Sequence, residues 1–180
     1  MTTMQAARRP WQDDMTWSRQ FLFNMSAICG AYLIRESPWE EDAHRNTDLI
    51  VLSVPSGLRV ACRVRQAHYL LKWPDEFTIR CSRGSGVETE LSKLLAGWGD
   101  YILYGFADDA SPRPRLKAWV LGDLSVFRSW YSAYVDTHGR EPCRVRRNGD
   151  GSSDFLACRI DELPPEFVVA RQFPDGRRLA

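Results

Sequence analysis

The stretch TDLIVLSVPSGLRVACRVR, residues 47–65, has the pattern of a β-hairpin. An apolar run leads into a Pro-Ser-Gly turn, and the run after the turn alternates strictly. Because successive side chains of a strand point to opposite faces, one face carries Val60, Cys62 and Val64, and the other carries Arg59, Ala61, Arg63 and Arg65. So many arginines on one face indicate an enzyme site, an anion-binding surface or an ion-paired, solvated side of a sheet.

The composition is typical of one folded domain, residues 1–180. A hydrophobic content of 44% with seven tryptophans is too apolar for a disordered chain. The net charge of +1 excludes a strongly basic nucleic-acid coat and an acidic mimic of DNA, so any attraction to phosphate must come from local clusters. No run approaches the about 20 apolar residues of a membrane span, and we expect no membrane partner.

The five cysteines are odd in number and widely spaced, without a CxxC pair or a zinc-like Cys/His cluster. Cys62, Cys81 and Cys158 lie in apolar alternating runs, which is typical of reduced, buried thiols. The N-terminus lacks the apolar stretch of a secretory signal. These observations predict a reducing, cytoplasmic location.

Hydrophobic periodicity predicts a helix over residues 17–34, a polar link over 36–46 and the hairpin strands over 48–54 and 58–65. A third strand is predicted over 76–82, a helix over 89–96 and a fourth strand over 101–106. Further along, the pattern predicts a strand over 117–121, a helix over 124–135 and a short strand over 155–160. The expected fold is α/β (α+β), with a mixed central sheet flanked by helices.

This order of elements resembles the αβββαβ, restriction-endonuclease-like core of the PD-(D/E)XK nuclease-like superfamily over residues 17–107. Residues 108–180 would then form a C-terminal extension packed on that core. The segment WGDYILYGFAD also resembles small prophage proteins of bacteria. The resemblance implies a phage-type nuclease that acts on phosphodiesters of nucleic acid in the host bacterial cytoplasm, with Mg²⁺ or Mn²⁺ as its cofactor.

The family's aspartate falls on Asp48, and its paired carboxylate and lysine fall on Ala61 and Arg63. Ala61 has no oxygen for a metal, and the guanidinium of Arg63 does not give up its charge as a lysine can. A metal site would therefore need an acid from elsewhere, and Glu41 and Asp42 are the nearest candidates. The expected metal ligands are Asp48 and Glu41, and the expected catalytic residues are Asp48, Glu41, Asp42 and Arg63. The alternative for Asp48 is a structural role, in which it opens the strand and accepts a hydrogen bond from a nearby backbone amide.

The strongest indication of function is the arginine face. If the predicted third strand pairs with the hairpin, one patch would bind nucleic acid through Arg59, Arg63, Arg65, Arg80 and Arg83. Reversing the charge of a solvent-facing Arg63 should then weaken binding with little loss of stability. The alternative is a solvated face on which these arginines pair with Glu40, Glu41, Asp42, Glu88 and Glu90.

Two other functions remain open at this point. One is a catalytically inactive nuclease-like protein that binds nucleic acid or a host defence nucleoprotein complex, as an anti-defence inhibitor. The other is an interaction protein without a nucleic-acid role. Other features of the sequence are an RGSG turn before a helix, Trp98 and Tyr101 as candidate stacking platforms for bases, and a second basic cluster of Arg144, Arg146 and Arg147.

Overall fold

The predicted hairpin forms the middle of a six-stranded sheet. The structure is a computed structural model that describes residues 11–29, 34–45, 47–52, 57–84 and 86–174. With strands numbered along the chain, this sheet contains β1 (Ile34–Glu36), β2 (Leu49–Leu52), β3 (Gly57–Arg65), β5 (Tyr101–Ala107), β6 (Leu116–Asp123) and β9 (Val168–Gln172), in that spatial order. Strands β3 and β5 pair in parallel and the other neighbours pair antiparallel, so the expected mixed sheet is confirmed.

The remaining strands form a separate three-stranded antiparallel sheet. It contains β4 (Glu76–Arg83), β8 (Ser153–Arg159) and β7 (Arg144–Arg147), in the order β4-β8-β7. The expectation that Arg80 shares a sheet with Asp48, Arg59 and Arg63 is therefore wrong. A short helix, α4 (Ala67–Lys72), follows β3 and leads the chain away from the first sheet, and β5 takes the place beside β3.

Helices lie around the two sheets, and their bounds differ from the prediction near the N-terminus. The predicted helix over 17–34 is divided into α1 (Trp11–Arg19) and α2 (Leu22–Cys29), and Ile34 already belongs to β1. The expected polar link contains a further helix, α3 (Trp39–Arg45). The later helices are α5 (Glu90–Leu95) and α6 (Leu124–His138), followed by 3₁₀ turns at Ile160–Glu162 and Pro165–Phe167.

Two apolar cores lie on opposite faces of the six-stranded sheet. The larger core joins this sheet to the three-stranded sheet, α5 and α6, and includes contacting rings of Phe77, Phe127 and Phe167. The smaller core packs α2 against the other face. Val60 belongs to the smaller core and Ala61 to the larger one, as the alternation of the hairpin predicts.

A disulfide joins Cys143 to Cys158, with their Cα atoms 4.8 Å apart, next to the first pair of residues of the β7–β8 ladder. The expectation that Cys158 is a reduced thiol is therefore wrong. Cys143 directly precedes β7, and the pairing of β7 with β8 brings it opposite Cys158. Cys29, Cys62 and Cys81 are free.

Among the described residues, every helix falls short of the length and apolar character that crossing a lipid bilayer requires.

Candidate active site and nucleic-acid interface

Asp48 stands directly before β2 and is tied to the middle of β3. Its Oδ2 accepts a hydrogen bond from the backbone N–H of Cys62 at 2.7 Å, and its backbone carbonyl accepts one from Ser37 at 2.9 Å. Burial raises the pKa of Asp48 from 3.8 to about 7, and the carboxylates of Asp42 and Glu90 act in the same direction. The N–H of Cys62 and the charge of Arg63 oppose this shift only in part. Asp48 is therefore a carboxyl group poised between its two protonation states near neutral pH.

Glu90 is the first residue of α5, and a capping box holds it in place. The side chain of Thr89 accepts a hydrogen bond from the backbone of Ser92, and the Ser92 hydroxyl accepts one from the backbone of Thr89. The Oε2 atom of Glu90 accepts hydrogen bonds from the N–H of Arg80 at 2.9 Å and from Nη1 of Arg63 at 2.5 Å. Burial disfavours the charge of Glu90, but these partners outweigh it and hold its pKa below the usual value.

Arg63 reaches from β3 to the second sheet. Besides Glu90, its Nη1 atom donates to the backbone carbonyl of Thr78 at 3.3 Å. Burial disfavours the charged guanidinium, but the neighbouring carboxylates, above all Glu90, raise its pKa. Only 25% of the side chain is exposed. The expectation of a solvent-facing Arg63 is therefore wrong, because the three-stranded sheet covers this part of the strand.

The side chains of Asp48, Arg63 and Glu90 meet around a small cavity of about 20 Å³, which Ala61 also lines. That volume suits one water molecule or one monatomic ion. The described residues contain no cluster of three or more His, Cys, Asp or Glu side chains that could hold a metal by themselves. Two carboxylates are nevertheless a common protein contribution to a Mg²⁺ site, in which waters and substrate phosphates complete the shell.

Glu41 and Asp42, the acids expected beside Asp48, have other environments on α3. Glu41 pairs through Oε1 with Arg45 at 2.9 Å and through Oε2 with Arg59 at 3.5 Å, and it does not line the cavity. Asp42 acts on Asp48 only electrostatically, and burial raises its own pKa despite the charges of Arg19 and Lys93. The structure therefore brings Glu90, not Glu41, to Asp48. From the sequence, Glu90 is expected only as a counter-ion of the arginines.

The five arginines of the expected patch are divided by the fold. A cleft of about 440 Å³ is lined by Arg63, Arg65, Arg80 and Glu90 together with residues of α1 and α4. Arg59 pairs with Glu41 and does not line this cleft. Burial lowers the pKa of Arg80, and the nearby charges of Arg63 and Arg83 lower it further. These arginines converge from two sheets, and the ion pairs of the alternative interpretation account for Arg59 and Arg63 but not for the whole group.

Arg65 forms the far wall of this cleft. Its Nη1 atom donates to the hydroxyl of Thr78 at 2.9 Å, and its guanidinium lies 4.0 Å from the ring centre of Tyr69. The Thr78 hydroxyl is in turn 3.3 Å from the hydroxyl of Tyr104. A cation held in this way is fixed in position before any ligand arrives, which lowers the entropic cost of binding an anion.

Comparison of the chain with protein-family models, with curated proteins and with solved structures gave no match. The activity of the protein is therefore inferred from the geometry of its own site.

Proposed function

We propose that the protein is a metal-dependent nuclease, related in architecture to the PD-(D/E)XK nuclease-like superfamily, that hydrolyses phosphodiester bonds of nucleic acid. The observation that carries the proposal is the meeting of two carboxylates, Asp48 and Glu90, with Arg63 at a cavity beside an arginine-lined cleft. Carboxylates that bind a divalent ion, next to cations that bind phosphate, are the groups that phosphodiester hydrolysis requires.

The topology supports this architecture. Helix α2 precedes the antiparallel strands β1, β2 and β3, and α5 leads into β5, which is parallel to β3. This gives an αβββαβ order if α3, between β1 and β2, and α4 and β4, between β3 and α5, are insertions. It differs from the core expected from the sequence, because the predicted third strand, residues 76–82, belongs to the other sheet as part of β4. Asp48 directly precedes β2, and Ala61 and Arg63 lie on β3, the next strand, so the acid and the paired positions keep the relation that the resemblance implies.

The donor set fits a Mg²⁺ or Mn²⁺ ion when a substrate phosphate is present. The raised pKa of Asp48 comes above all from burial, and repulsion from the carboxylates of Asp42 and Glu90 adds to it. A bound cation would relieve this repulsion. Asp48 and Glu90 would be its protein ligands, and Glu90 would take the role of the carboxylate that Ala61 lacks. The metal would supply Lewis-acid polarisation of the phosphate. Arg63 would orient Glu90 and add positive charge beside the phosphate, without exchanging a proton.

The test is incubation of purified protein with labelled single- and double-stranded DNA and RNA, in magnesium, in manganese or in chelator. We expect cleavage with either metal and none in chelator. Asp48→Asn keeps the shape of the side chain and should abolish cleavage, whereas the matched change Asp109→Asn in an exposed loop should leave it unchanged. Cleavage that survives chelator or Asp48→Asn would contradict the proposal.

A second candidate function has its own observation in favour. Ala61 brings no ligand to the cavity, and Glu90 is already engaged by Arg63 and by the amide of Arg80. These features suit an inactive nuclease-like protein that binds nucleic acid or a nucleoprotein complex of host defence. Such a protein would bind labelled nucleic acid equally well in metal and in chelator and would cleave none of the substrates.

A further inference from the structure

A second pocket, with a volume of about 330 Å³, opens beside the arginine-lined cleft. It lies between α4, β4 and the end of β7, and its aromatic side chains are those of Tyr69, Trp73, Tyr104, Phe106 and Phe155. A volume near 300 Å³ is at the lower end of the range for small-molecule sites. The pocket is thus large enough for one planar ring system with a polar group attached, and too small for a base pair.

Arginines lie against the aromatic side chains of this pocket. Arg65 lies over Tyr69 at 4.0 Å, and Arg146 lies over Trp73 at 5.4 Å, with its Nη2 atom 2.8 Å from Oε1 of Glu76. Arg147 adds an exposed cation at the edge. Aromatic rings and guanidinium planes are the surfaces on which proteins stack unpaired bases, and arginines at the edge suit the phosphate that accompanies a base.

Polar groups on the inner side of the pocket give it hydrogen-bonding capacity. Thr78 is buried, and its hydroxyl contacts the hydroxyl of Tyr104 and accepts from Arg65. Asn148, at the opposite side, donates through Nδ2 to the hydroxyl of Ser153 at 2.6 Å. A pocket with aromatic walls and a few fixed polar groups matches the edge of a nucleobase better than it matches an aliphatic ligand.

We propose that this pocket holds one unpaired nucleotide, so that the ligand class of the protein is single-stranded nucleic acid. The inference rests on the proposed binding of phosphodiesters in the neighbouring cleft. Arg65, Tyr69 and Asn148 line both the cleft and the pocket, so a strand that places a phosphate beside Arg63 can place an adjacent base against Trp73. A base inside a duplex is paired and stacked on both faces and must leave the helix before it can enter such a pocket.

The test is fluorescence anisotropy in chelator, where metal-dependent cleavage is off. The probes are a short labelled single strand, the same strand annealed to its complement as a blunt duplex, and the same strand with abasic sites in place of its bases. We expect the intact single strand to bind most tightly. Trp73→Ala should weaken its binding roughly 5- to 150-fold, the range measured for one lost stacking contact, and should leave duplex binding unchanged. Leu71→Ala, at an exposed position of α4 two residues before Trp73, is the matched control and should change nothing.

Trp73→Phe keeps an aromatic ring at this position. It tests the inference if the Trp73→Ala variant does not fold. It should retain single-strand binding within a few-fold and lose part of the tryptophan quenching that the single strand causes in the wild type. Equal affinity for the three probes, or unchanged binding in Trp73→Ala, would overturn the inference.

The binding experiment on the pocket and the cleavage experiment on the proposed nuclease can each fail without the other. Preference for the intact single strand without any metal-dependent cleavage supports the pocket and contradicts the nuclease. Cleavage of duplex by a protein that binds all three probes equally supports the nuclease and overturns the pocket.

Discussion

Arg63 on β3 and Glu90 at the start of α5 form a hydrogen-bonded ion pair of 2.5 Å across 27 residues of sequence. The same carboxylate oxygen accepts the N–H of Arg80 on β4. One side chain therefore connects the six-stranded sheet, the three-stranded sheet and a helix, at the edge of the cavity that also contains Asp48. The pair both holds the fold together and determines the charge of the proposed active site.

The first prediction concerns this pair. Glu90→Gln removes the negative charge, leaves Arg63 without its counter-ion and should lower the free energy of unfolding by about 2 kcal/mol, between the values for exposed and buried pairs. Urea unfolding at neutral pH measures the loss. Glu88→Gln, at an exposed position just before α5, is the control and should be neutral. Equal stability of the two variants would mean that the Arg63–Glu90 pair contributes nothing.

Charge reversal at Arg63 should also be costly. Arg63→Glu places a carboxylate beside Glu90 and Asp48, so we expect a larger loss of stability than in Glu90→Gln. A folded Arg63→Glu variant with wild-type stability would instead agree with the solvent-facing side chain that the sequence predicts. Thermal unfolding of the two variants side by side decides between these outcomes.

Asp48 should make stability depend on pH in a direction opposite to that of most carboxylates. Its pKa in the folded protein, about 7, lies above the usual 3.8, so the folded state holds the proton more tightly than the unfolded state. The stability that this adds is present below about pH 4 and is lost as the pH rises to about 7. Relative to Asp48→Asn, the wild type should therefore lose free energy of unfolding over this range, on the order of a few kcal/mol. Parallel pH profiles for the two proteins would contradict the raised pKa.

Metal binding should also depend on the ionisation of Asp48, but it should become stronger as the pH rises. A divalent ion needs the ionised carboxylate, so stabilisation by Mn²⁺ should grow as the pH rises through about 7 and should vanish in Asp48→Asn. Thermal unfolding with and without Mn²⁺ at a series of pH values is the measurement. The same stabilisation in Asp48→Asn would place the metal elsewhere.

Ala61→Glu should add the carboxylate that the resemblance leads one to expect. Ala61 is 3% exposed and lines the cavity, so an unpaired charge there should destabilise the metal-free protein, while affinity for Mn²⁺ rises. Calorimetric titration with Mn²⁺ compares this variant with the wild type and with Ala133→Glu on the exposed side of α6. No binding by the wild type and clear binding by Ala61→Glu would mean a nuclease scaffold without its chemistry, and would favour the inactive binder.

Binding of single-stranded nucleic acid should depend on salt through a small number of arginines. Arg65 and Arg80 line the cleft, and Arg83 is near enough to lower the pKa of Arg80. If each of the three contacts one phosphate, the slope of log affinity against log salt should be about −2. Arg83→Gln should reduce its magnitude by about 0.7, and Arg113→Gln in an exposed loop should not change it. Anisotropy at several salt concentrations gives the slope, and salt-independent binding would exclude phosphate contacts.

The Cys143–Cys158 disulfide should stabilise the protein. Its sequence separation is 15, and closing a loop of that length contributes about 3 kcal/mol through the lost entropy of the unfolded chain. Cys143→Ser should be destabilised by that order, and reductant should lower the stability of the wild type without affecting the variant further. Cys81→Ser, at a free and half-buried cysteine, is the control. A wild type insensitive to reductant in urea unfolding would contradict the pairing.

The sequence by itself determined the strands and helices that have a clear hydrophobic periodicity of their own. The alternation of residues 57–65 places Val60 in one core and Ala61 in the other, and the apolar periodicity of α5 and the glycines after it lead into β5. These features depend on side-chain direction within one strand or one helical turn, which the order of residues specifies directly. The mixed α/β class follows from them.

Only the tertiary structure decided which of these elements become neighbours. The alternation of β4 is the same whether it pairs with β3 or with β8, because strand periodicity carries no information about the partner. In the structure β4 pairs with β8, and the N–H of Arg80 lies beside Glu90. Glu90 pairs with Arg63, and Glu41 pairs with Arg59. The contacts of the site join residues 10 to 27 positions apart, and their formation depends on how the whole chain buries its apolar surface, not on any local preference.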